Sequence, residues 1–218
     1  MQYRIFVVLA LLVPSVACAS FPDVHSTHPN IDAIEYLQSR GIVKGFPDGS
    51  FRPDQRINRV EFLKIIVEKI LHDEAYDDNF AGALSRCVSE GTYGNFSDVP
   101  KNVWFAGYVC FAHELTLIQG YPNKTFRPDI SISFSEAASI LSNPGVFASS
   151  GFTYPHTPGP SDPWYKHPID FLAMHKAIPT SVTSISQYIT RGEMAEMVYR
   201  LQTKNASKPS RTFEDLEK

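Results

Sequence analysis

The chain has no large excess of one charge, few cysteines and, beyond residue 20, no long apolar run. Its 218 residues carry 20 basic and 23 acidic side chains. Nucleic-acid binding requires a basic surface, so this balance argues against nucleic acid as the main partner. No apolar run after residue 20 approaches the roughly 20 residues that a membrane-spanning helix needs. We therefore expect no transmembrane segment after signal removal.

Motifs that mark catalysis are also missing. There is no His-Glu-x-x-His motif, no nucleophile elbow and no phosphate-binding loop. His25 and His28 could supply half of a metal site, but no further ligands lie nearby, so solvated loop histidines are expected. Cys110 beside His113 is a poor nucleophile–base pair in an exported protein. We therefore expect no enzyme activity, no cofactor and no metal site.

Residues 1–19 predict a signal peptide. Arg4 supplies a positive charge, a short apolar run follows, and Ala17-Cys-Ala19 is a small-x-small cleavage signal. Lipid attachment at Cys18 is an alternative, but Ser15 stands where such a site usually has a leucine-like residue. Cleavage after residue 19 would leave 19 basic and 23 acidic residues, a net charge of −4. An exported product, located at the cell surface or in the cell wall, is expected.

Two cysteines, Cys87 and Cys110, remain once the signal peptide is removed. An even number of cysteines in an exported protein favours a disulfide bond. The bond would tie the long segment 73–95 to the helix predicted after it. Two buried free thiols are the alternative.

The most informative feature that is present is an internal repeat. Gly45-Phe-Pro-Asp-Gly-Ser-Phe-Arg-Pro-Asp54 and Gly120-Tyr-Pro-Asn-Lys-Thr-Phe-Arg-Pro-Asp129 are nearly alike and lie 75 residues apart. Phe21-Pro-Asp-Val24 and Phe96-Ser-Asp-Val99 have the same offset. Each loop lies between two apolar stretches of helical spacing, so the chain is predicted to repeat a helix–loop–helix unit.

A third copy of the unit is weaker. Ser161-Asp-Pro-Trp164 stands for its opening, and Ile189-Thr-Arg-Gly-Glu193 for the start of its second helix. Its central loop, about residues 177–188, has lost the glycines and the Phe-Arg-Pro sequence. The third repeat is therefore predicted to be degenerate.

These copies divide the chain into segments. The two long connections are predicted to be loops from their glycine, proline and charged residues, and the tail is expected to fray. The predicted segments are a signal peptide at 1–19, repeat one at 20–72, an inter-repeat loop at 73–95, repeat two at 96–142, a linker at 143–160, repeat three at 161–202 and a polar tail at 203–218.

The motifs resemble those of the S-layer homology family of bacterial cell-surface modules. Phe-x-Asp-Val, a tryptophan a few residues later, the Gly-[Phe/Tyr]-Pro-Asp-Gly-x-Phe-Arg-Pro loop and Ile-Thr-Arg-x-Glu are its signature. The resemblance covers roughly residues 21–202. It implies a mainly α fold in which three helix–loop–helix units form a pseudo-threefold assembly. It also implies noncovalent anchoring to the bacterial cell envelope through an anionic, often pyruvylated, secondary cell-wall polysaccharide linked to peptidoglycan.

The second helix of each unit begins with a capping-box pattern, in which a cap side chain and a glutamate three residues later satisfy each other's backbone N–H groups. This pattern gives the glutamates a structural role. The predicted pairs are Asn58 with Glu61, Ser133 with Glu136, and Thr190 with Glu193.

Arg59 and Arg191 follow two of these caps, where a cation opposes the helix dipole. A helix start with an arginine beside it suits an anion, and the resemblance assigns the equivalent arginine to the acidic sugar. A salt bridge to a neighbouring loop carboxylate is the alternative. Repeat two has Phe134 at this position, which puts its site in doubt.

The resemblance implies further ligand-binding residues, although no repeat has the complete set. Trp104 and Trp164 occupy the family's tryptophan position, where core packing is the alternative. Repeat one has Pro29 there. The loop glycines are also expected to allow positive φ. The remaining expected ligand-binding residues are Asp23, Asp98, Gly45 and Gly120.

A noncovalent cell-surface anchor is the leading functional hypothesis, with other envelope proteins as further candidate partners. Family members usually carry a cargo domain, so the chain is either a stand-alone wall-binding protein or incomplete. The alternative is a degenerate scaffold that binds another protein, because each repeat lacks one signature feature. Arg52 and Arg127 either brace their loops against a carboxylate or add charge to a groove.

Overall fold

The computed structural model describes residues 21–73, 80–90, 96–154 and 159–218. The signal-peptide and lipid-attachment predictions lie outside these residues. The described chain is mainly helical, which confirms that prediction, and none of its helices is long and apolar enough to cross a bilayer. The helices are α1 (Ile31–Ser39), α2 (Arg59–Asp73), α3 (Phe80–Glu90), α4 (Ala106–Glu114), α5 (Phe134–Leu141), a 3-10 helix (Pro144–Ser150), α6 (Lys166–Met174), α7 (Arg191–Thr203) and α8 (Phe213–Leu216).

Each predicted repeat contains a pair of helices on either side of its central loop: α1 with α2, α4 with α5, and α6 with α7. The first helix of repeat one, α1, buries one apolar stripe, in which Ala33, Ile34 and Leu37 are fully buried, whereas α2 and α7 are buried over most of their surface. The helices meet across repeats, because α1 packs against α7, α2 against α4 and α5 against α6. Every repeat therefore contacts both of the others.

Three isoleucines, one from each repeat, meet at the centre of the molecule. The Ile57 N–H donates to the Ile189 carbonyl (3.1 Å), the Ile189 N–H to the Ile132 carbonyl (3.2 Å), and the Ile132 N–H to the Ile57 carbonyl (3.0 Å). All three side chains are fully buried. Buried backbone groups need partners, so each repeat depends on the other two at this isoleucine ring. The ring supports the pseudo-threefold arrangement of whole repeats, which stays a prediction.

All three predicted capping boxes are present. The cap side chain accepts a hydrogen bond from the glutamate N–H at 2.8, 3.3 and 3.1 Å in repeats one, two and three. In return, each glutamate carboxylate accepts from the cap residue's N–H at 3.4, 3.0 and 2.8 Å. The structural role predicted for these glutamates is confirmed.

The inter-repeat segment 73–95 was predicted to be a loop, and this is wrong for Phe80–Glu90, which form α3. The helix is fixed to α4 by the predicted disulfide bond between Cys87 and Cys110, whose Cα atoms lie 5.9 Å apart. Leu84 packs so closely on α4 that a Cβ added at Gly107 would lie 2.7 Å from the leucine Cβ. The composition of the segment is typical of a loop, and the prediction was wrong because tertiary contacts stabilise a helix there.

We expect the unreduced protein to have an intact mass about 2 Da below that of the reduced protein, because closing the disulfide bond removes two hydrogens. The bond closes a loop with a sequence separation of 23. Its loss is expected to lower the free energy of unfolding by about 3 kcal/mol. Intact-mass measurement with and without reductant checks this, with a Cys87→Ser and Cys110→Ser double variant as the control. Two thiols open to alkylation in unreduced, denatured protein would contradict it.

The linker and the tail, both predicted to be irregular, are also partly helical. The 3-10 helix of the linker buries Val146 and Phe147. In the tail, α8 buries Phe213 and Leu216. Both predictions were wrong at these positions because two well-placed apolar side chains are enough to dock a short polar segment.

Candidate functional site

An aspartate at the start of repeat one holds that repeat's central loop. The two carboxylate oxygens of Asp23 accept hydrogen bonds from the N–H groups of Phe51 (2.8 Å) and Arg52 (2.6 Å). Burial alone would raise the pKa of Asp23, but these hydrogen bonds outweigh it, and the pKa lies below its usual range. Asp98 holds the loop of repeat two in the same way, at 2.8 and 2.7 Å. Both aspartates therefore shape the loops, and their contact with a ligand stays a prediction.

The loop glycines are required by close packing. A Cβ at Gly45 would lie 2.7 Å from a ring carbon of Phe21, and one at Gly120 would lie 2.2 Å from a ring carbon of Phe96. Gly120 has the predicted positive φ, +73°, whereas Gly45 does not. The prediction of positive φ is therefore wrong for Gly45, where the neighbouring phenylalanine sets the requirement.

The two Phe-Arg-Pro arginines differ in their contacts. Arg52 braces its loop through an ion pair with Asp48, in which Nη2 and Oδ2 are 2.8 Å apart. Repeat two has Asn123 in place of that aspartate, and Arg127 instead lies over the Tyr121 ring, 3.9 Å from its centroid. Arg52 also lies over an aromatic ring, that of Phe46, at 3.9 Å, so both repeats have a cation beside an aromatic ring and only the ion-pair brace is specific to repeat one.

Arg59 extends from repeat one into the loop of repeat two. Its Nε donates to the Phe126 carbonyl at 2.9 Å, and its Nη1 lies 3.1 Å from Oε1 of Glu136. The Tyr121 hydroxyl donates to the same carboxylate. Burial raises the pKa of Glu136, but the Tyr121 hydrogen bond and the Arg59 charge are among the contacts that outweigh it, so this pKa lies below its usual range. The arginine is therefore shared by two repeats and paired with a capping glutamate.

Arg191 extends from repeat three into the loop of repeat one in the same way. Its Nε donates to the Phe51 carbonyl at 2.8 Å, and its guanidinium lies over the rings of Phe46 and Phe51. Burial lowers the pKa of Arg191, although a guanidinium stays charged at neutral pH. Within the described part of the chain, we find no hydrogen-bond acceptor for its two terminal nitrogens. These nitrogens are available to a ligand.

A cavity of about 870 Å³ opens beside Arg59. We call it the Arg59 groove. Its walls come from all three repeats, and the Trp164 side chain that lines it is 62% exposed. Its lining includes Arg59 of repeat one, Gly120, Tyr121 and Glu136 of repeat two, and Trp164 and His167 of repeat three.

A smaller cavity of about 160 Å³, the Arg191 groove, lies beside Arg191 and the repeat-one loop. Trp104 of repeat two is 63% exposed; it does not line this cavity but is connected to it through Tyr108. The ring centroids of Trp104 and Tyr108 are 6.2 Å apart, and the Tyr108 hydroxyl donates to Glu68, a lining residue, at 3.0 Å. Both tryptophans are therefore surface residues beside an arginine groove, and the core-packing alternative does not apply to them.

The features that individual repeats have lost lie together in a third groove. The Phe134 N–H donates to the Gln187 carbonyl (2.7 Å), which matches the bond from the Arg59 N–H to the Ile130 carbonyl (2.9 Å). Phe134 thus takes the arginine position facing the glycine-free loop of repeat three, although it is fully buried and does not line the cavity beside that loop. Pro29, in the tryptophan position, lines the cavity there, which has a volume of about 280 Å³.

Each groove thus combines an arginine, a loop and a tryptophan position from three different repeats. Two grooves carry all three features, and the third groove carries none. Within the sequence, each repeat lacks one of these three features, so the losses are spread over all three repeats. In the structure, the arginine of one repeat faces the loop of the next repeat and the tryptophan position of the remaining one. Comparing these three positions across repeats, and not within one repeat, is the signal in the sequence that would have brought the three losses together.

Comparisons with known proteins agree with the repeat motifs. The S-layer homology domain profile matches residues 20–63 and 95–138. The Middle cell wall protein of Brevibacillus brevis is 26% identical over 196 residues, which cover 87% of this chain and 16% of that protein. The Exoglucanase XynX of Acetivibrio thermocellus is 28% identical over 184 residues (80% and 15%), and the Cellulosome-anchoring protein of that species is 28% identical over 124 residues (56% and 25%). The chain spans a quarter or less of the length of these relatives.

Proposed function

Because the chain belongs to the S-layer homology family through residues 20–63 and 95–138, we propose that it is a noncovalent anchor at the bacterial cell surface. It binds an anionic cell-wall polysaccharide in the Arg59 and Arg191 grooves. The observation behind this function is that each of these arginines crosses to the loop of another repeat and lines a groove there. Trp164 lines the Arg59 groove, and Trp104 is connected to the Arg191 groove through Tyr108. A guanidinium recognises a carboxylate through paired, charge-assisted hydrogen bonds, and an exposed indole can pack on the apolar face of a sugar.

The burial of Arg191 supports an acidic ligand in particular. Its side chain is 5% exposed, and a buried charge without a partner is costly. Glu61 and Asp23 lie close enough to favour its charge, but neither forms an ion pair with it among the described residues. An acidic sugar, such as a pyruvylated one, would supply a carboxylate in direct contact. Arg59 already has Glu136 as a partner, so in its larger groove the ligand would add to an existing ion pair or replace it.

Names of relatives agree with this role. One is a cell wall protein, another anchors a cellulosome, and the exoglucanase shares a stretch that covers only 15% of its length. We propose that this chain is exported and acts as an anchor rather than a catalyst. The alternative of a degenerate protein-binding scaffold rests on a loss in every repeat, and the assignment of those losses to one groove favours the anchor.

Sedimentation with purified cell-wall sacculi tests the proposed function. We expect the protein to sediment with sacculi that retain their attached polysaccharide and to stay in solution with sacculi stripped of it. Purified free polysaccharide should compete for binding. Equal sedimentation with intact and stripped sacculi would overturn the proposal, because the peptidoglycan itself or another wall component would then be the ligand.

A further inference from the structure

The third groove differs from the other two in charge as well as in its missing features. Glu196 of α7 lies there and is 1% exposed. In the Arg191 groove, Lys64 occupies the equivalent position on α2, three residues after the capping glutamate. The third groove therefore has the buried carboxylate of Glu196 at the position where the Arg191 groove, which we assign to an anion, has the cation Lys64.

Lys208 of the C-terminal segment supplies a cation to this carboxylate. Its Nζ lies 3.2 Å from Oε1 and 3.3 Å from Oε2 of Glu196. It also donates to the Pro29 carbonyl at 3.2 Å and lies 3.6 Å from Oδ2 of Asp32. The ammonium thus has oxygen partners from repeats one and three, and one of these partners is the residue that replaces the tryptophan.

The C-terminal segment is also held by contacts that do not involve Lys208. The Arg211 N–H donates to the Ile178 carbonyl at 3.1 Å, and the Ile178 N–H donates to Oγ of Ser210 at 3.2 Å. Arg200, which is ion-paired with Glu196, donates to the Pro209 carbonyl at 2.9 Å. Together with the buried side chains of α8, these bonds keep the segment in place, so the ammonium contact can be tested by itself.

We propose that the third groove is an ammonium-binding site, occupied by Lys208 of the chain's own C-terminal segment, and is closed to the anionic polymer. The second part rests on the function proposed for the other two grooves, whereas the ammonium site does not. Both cations that line this groove, Arg200 and Lys208, are already paired with Glu196. The carboxylate of Glu193 lines it as well, so the groove discriminates against the anionic polymer. The chain then has two polymer-binding grooves and one internal ligand.

Chemical rescue of a Lys208→Ala variant tests the ammonium site. In the full-length chain, this substitution is expected to lower Tm by about 2–4 °C, since it leaves a buried carboxylate with fewer partners. Ethylammonium chloride should restore part of this loss, compared with the same concentration of sodium chloride, because it supplies the missing ammonium group. Wild-type protein should show no such gain.

Two further variants decide the interpretation. Lys218→Ala removes the same charge from the same segment at a side chain that is 78% exposed, and it should neither lower Tm nor respond to ethylammonium. A Lys208→Ala and Glu196→Gln double variant should not be rescued, because the carboxylate is gone. Equal effects of ethylammonium and sodium chloride on Lys208→Ala would overturn the ammonium site.

The number of polymer sites is tested separately by calorimetric titration with purified polysaccharide fragments. Two sites per chain are expected for the wild type and for Lys208→Ala. A third site in the wild type would overturn the closure of this groove. Rescue by ethylammonium needs no polysaccharide, so the failure of the ammonium site and the failure of the proposed function give different results.

Discussion

A double variant with Arg59→Ala and Arg191→Ala is expected to bind polysaccharide-bearing sacculi at least about a hundredfold more weakly than the wild type. A hydrogen bond to a charged group contributes about 1.5–3 kcal/mol, and each 1.4 kcal/mol corresponds to about a tenfold change in affinity. The two arginines line separate grooves, so their losses should add. Sedimentation with sacculi, at a temperature where thermal melts show the variant to be folded, gives the measurement.

The stability of this variant needs its own control. The capping box of Thr190 and Glu193 is kept, which by itself predicts that Arg191→Ala leaves the fold nearly intact. In the structure, however, the Phe51 carbonyl would lose its partner, and the free energy of unfolding is expected to fall by about 1–3 kcal/mol. Arg200 is the matched control, because it is also buried and lines the third groove.

Arg200→Ala should lower Tm but leave wall binding unchanged. If the Arg59 and Arg191 double variant binds as tightly as the wild type, the arginines are structural, and a protein-binding scaffold becomes the better description. If Arg200→Ala weakens binding as much as the double variant does, the loss reflects stability rather than the grooves.

Ile189→Ala is expected to lower the free energy of unfolding of the whole molecule by about 2–5 kcal/mol, the usual range for such a truncation in a core. Ile189 is fully buried in the isoleucine ring. The substitution keeps the backbone hydrogen bonds that join the three repeats at this ring, so the lost side-chain packing should lower the stability of all repeats together.

The two tryptophans report this effect from different repeats. A Trp104→Phe variant keeps only Trp164, whose fluorescence follows the unfolding of repeat three. A Trp164→Phe variant keeps only Trp104, whose fluorescence follows the unfolding of repeat two. Both transitions should shift equally in Ile189→Ala. Ile130→Ala is the control, because Ile130 is 52% exposed and its truncation should have little effect. An unchanged transition at Trp104 would show that repeat two folds independently of the ring.

Features that depend on a few neighbouring residues could be predicted from the sequence. The capping boxes need only a cap residue and a glutamate three positions later, and all three are present. The Cys87–Cys110 pairing was predictable because only two cysteines remain after the signal peptide. The mainly α fold could be predicted because helical spacing recurs on both sides of each loop.

Features that depend on tertiary contacts could not be predicted in this way. Helix α3 lies in a segment with a loop-like composition, and it is held by its disulfide bond and by the contact of Leu84 with Gly107. Gly45 was expected to serve the backbone, but the neighbouring Phe21 ring leaves no space for a side chain. The grooves combine residues from three repeats, so a comparison confined to each repeat could not show which grooves are complete.

The circular closure of the repeats has a mechanical consequence. The first and last repeats are joined directly by the bond from the Ile57 N–H to the Ile189 carbonyl, and the C-terminal segment is joined to repeat one by the contact of Lys208 with the Pro29 carbonyl. A pulling force applied near either end of the described chain therefore acts across bonds between these two repeats and cannot peel the repeats away one at a time. Resistance to force depends on the rate of unfolding, and we expect that rate to reflect the simultaneous loss of several bonds.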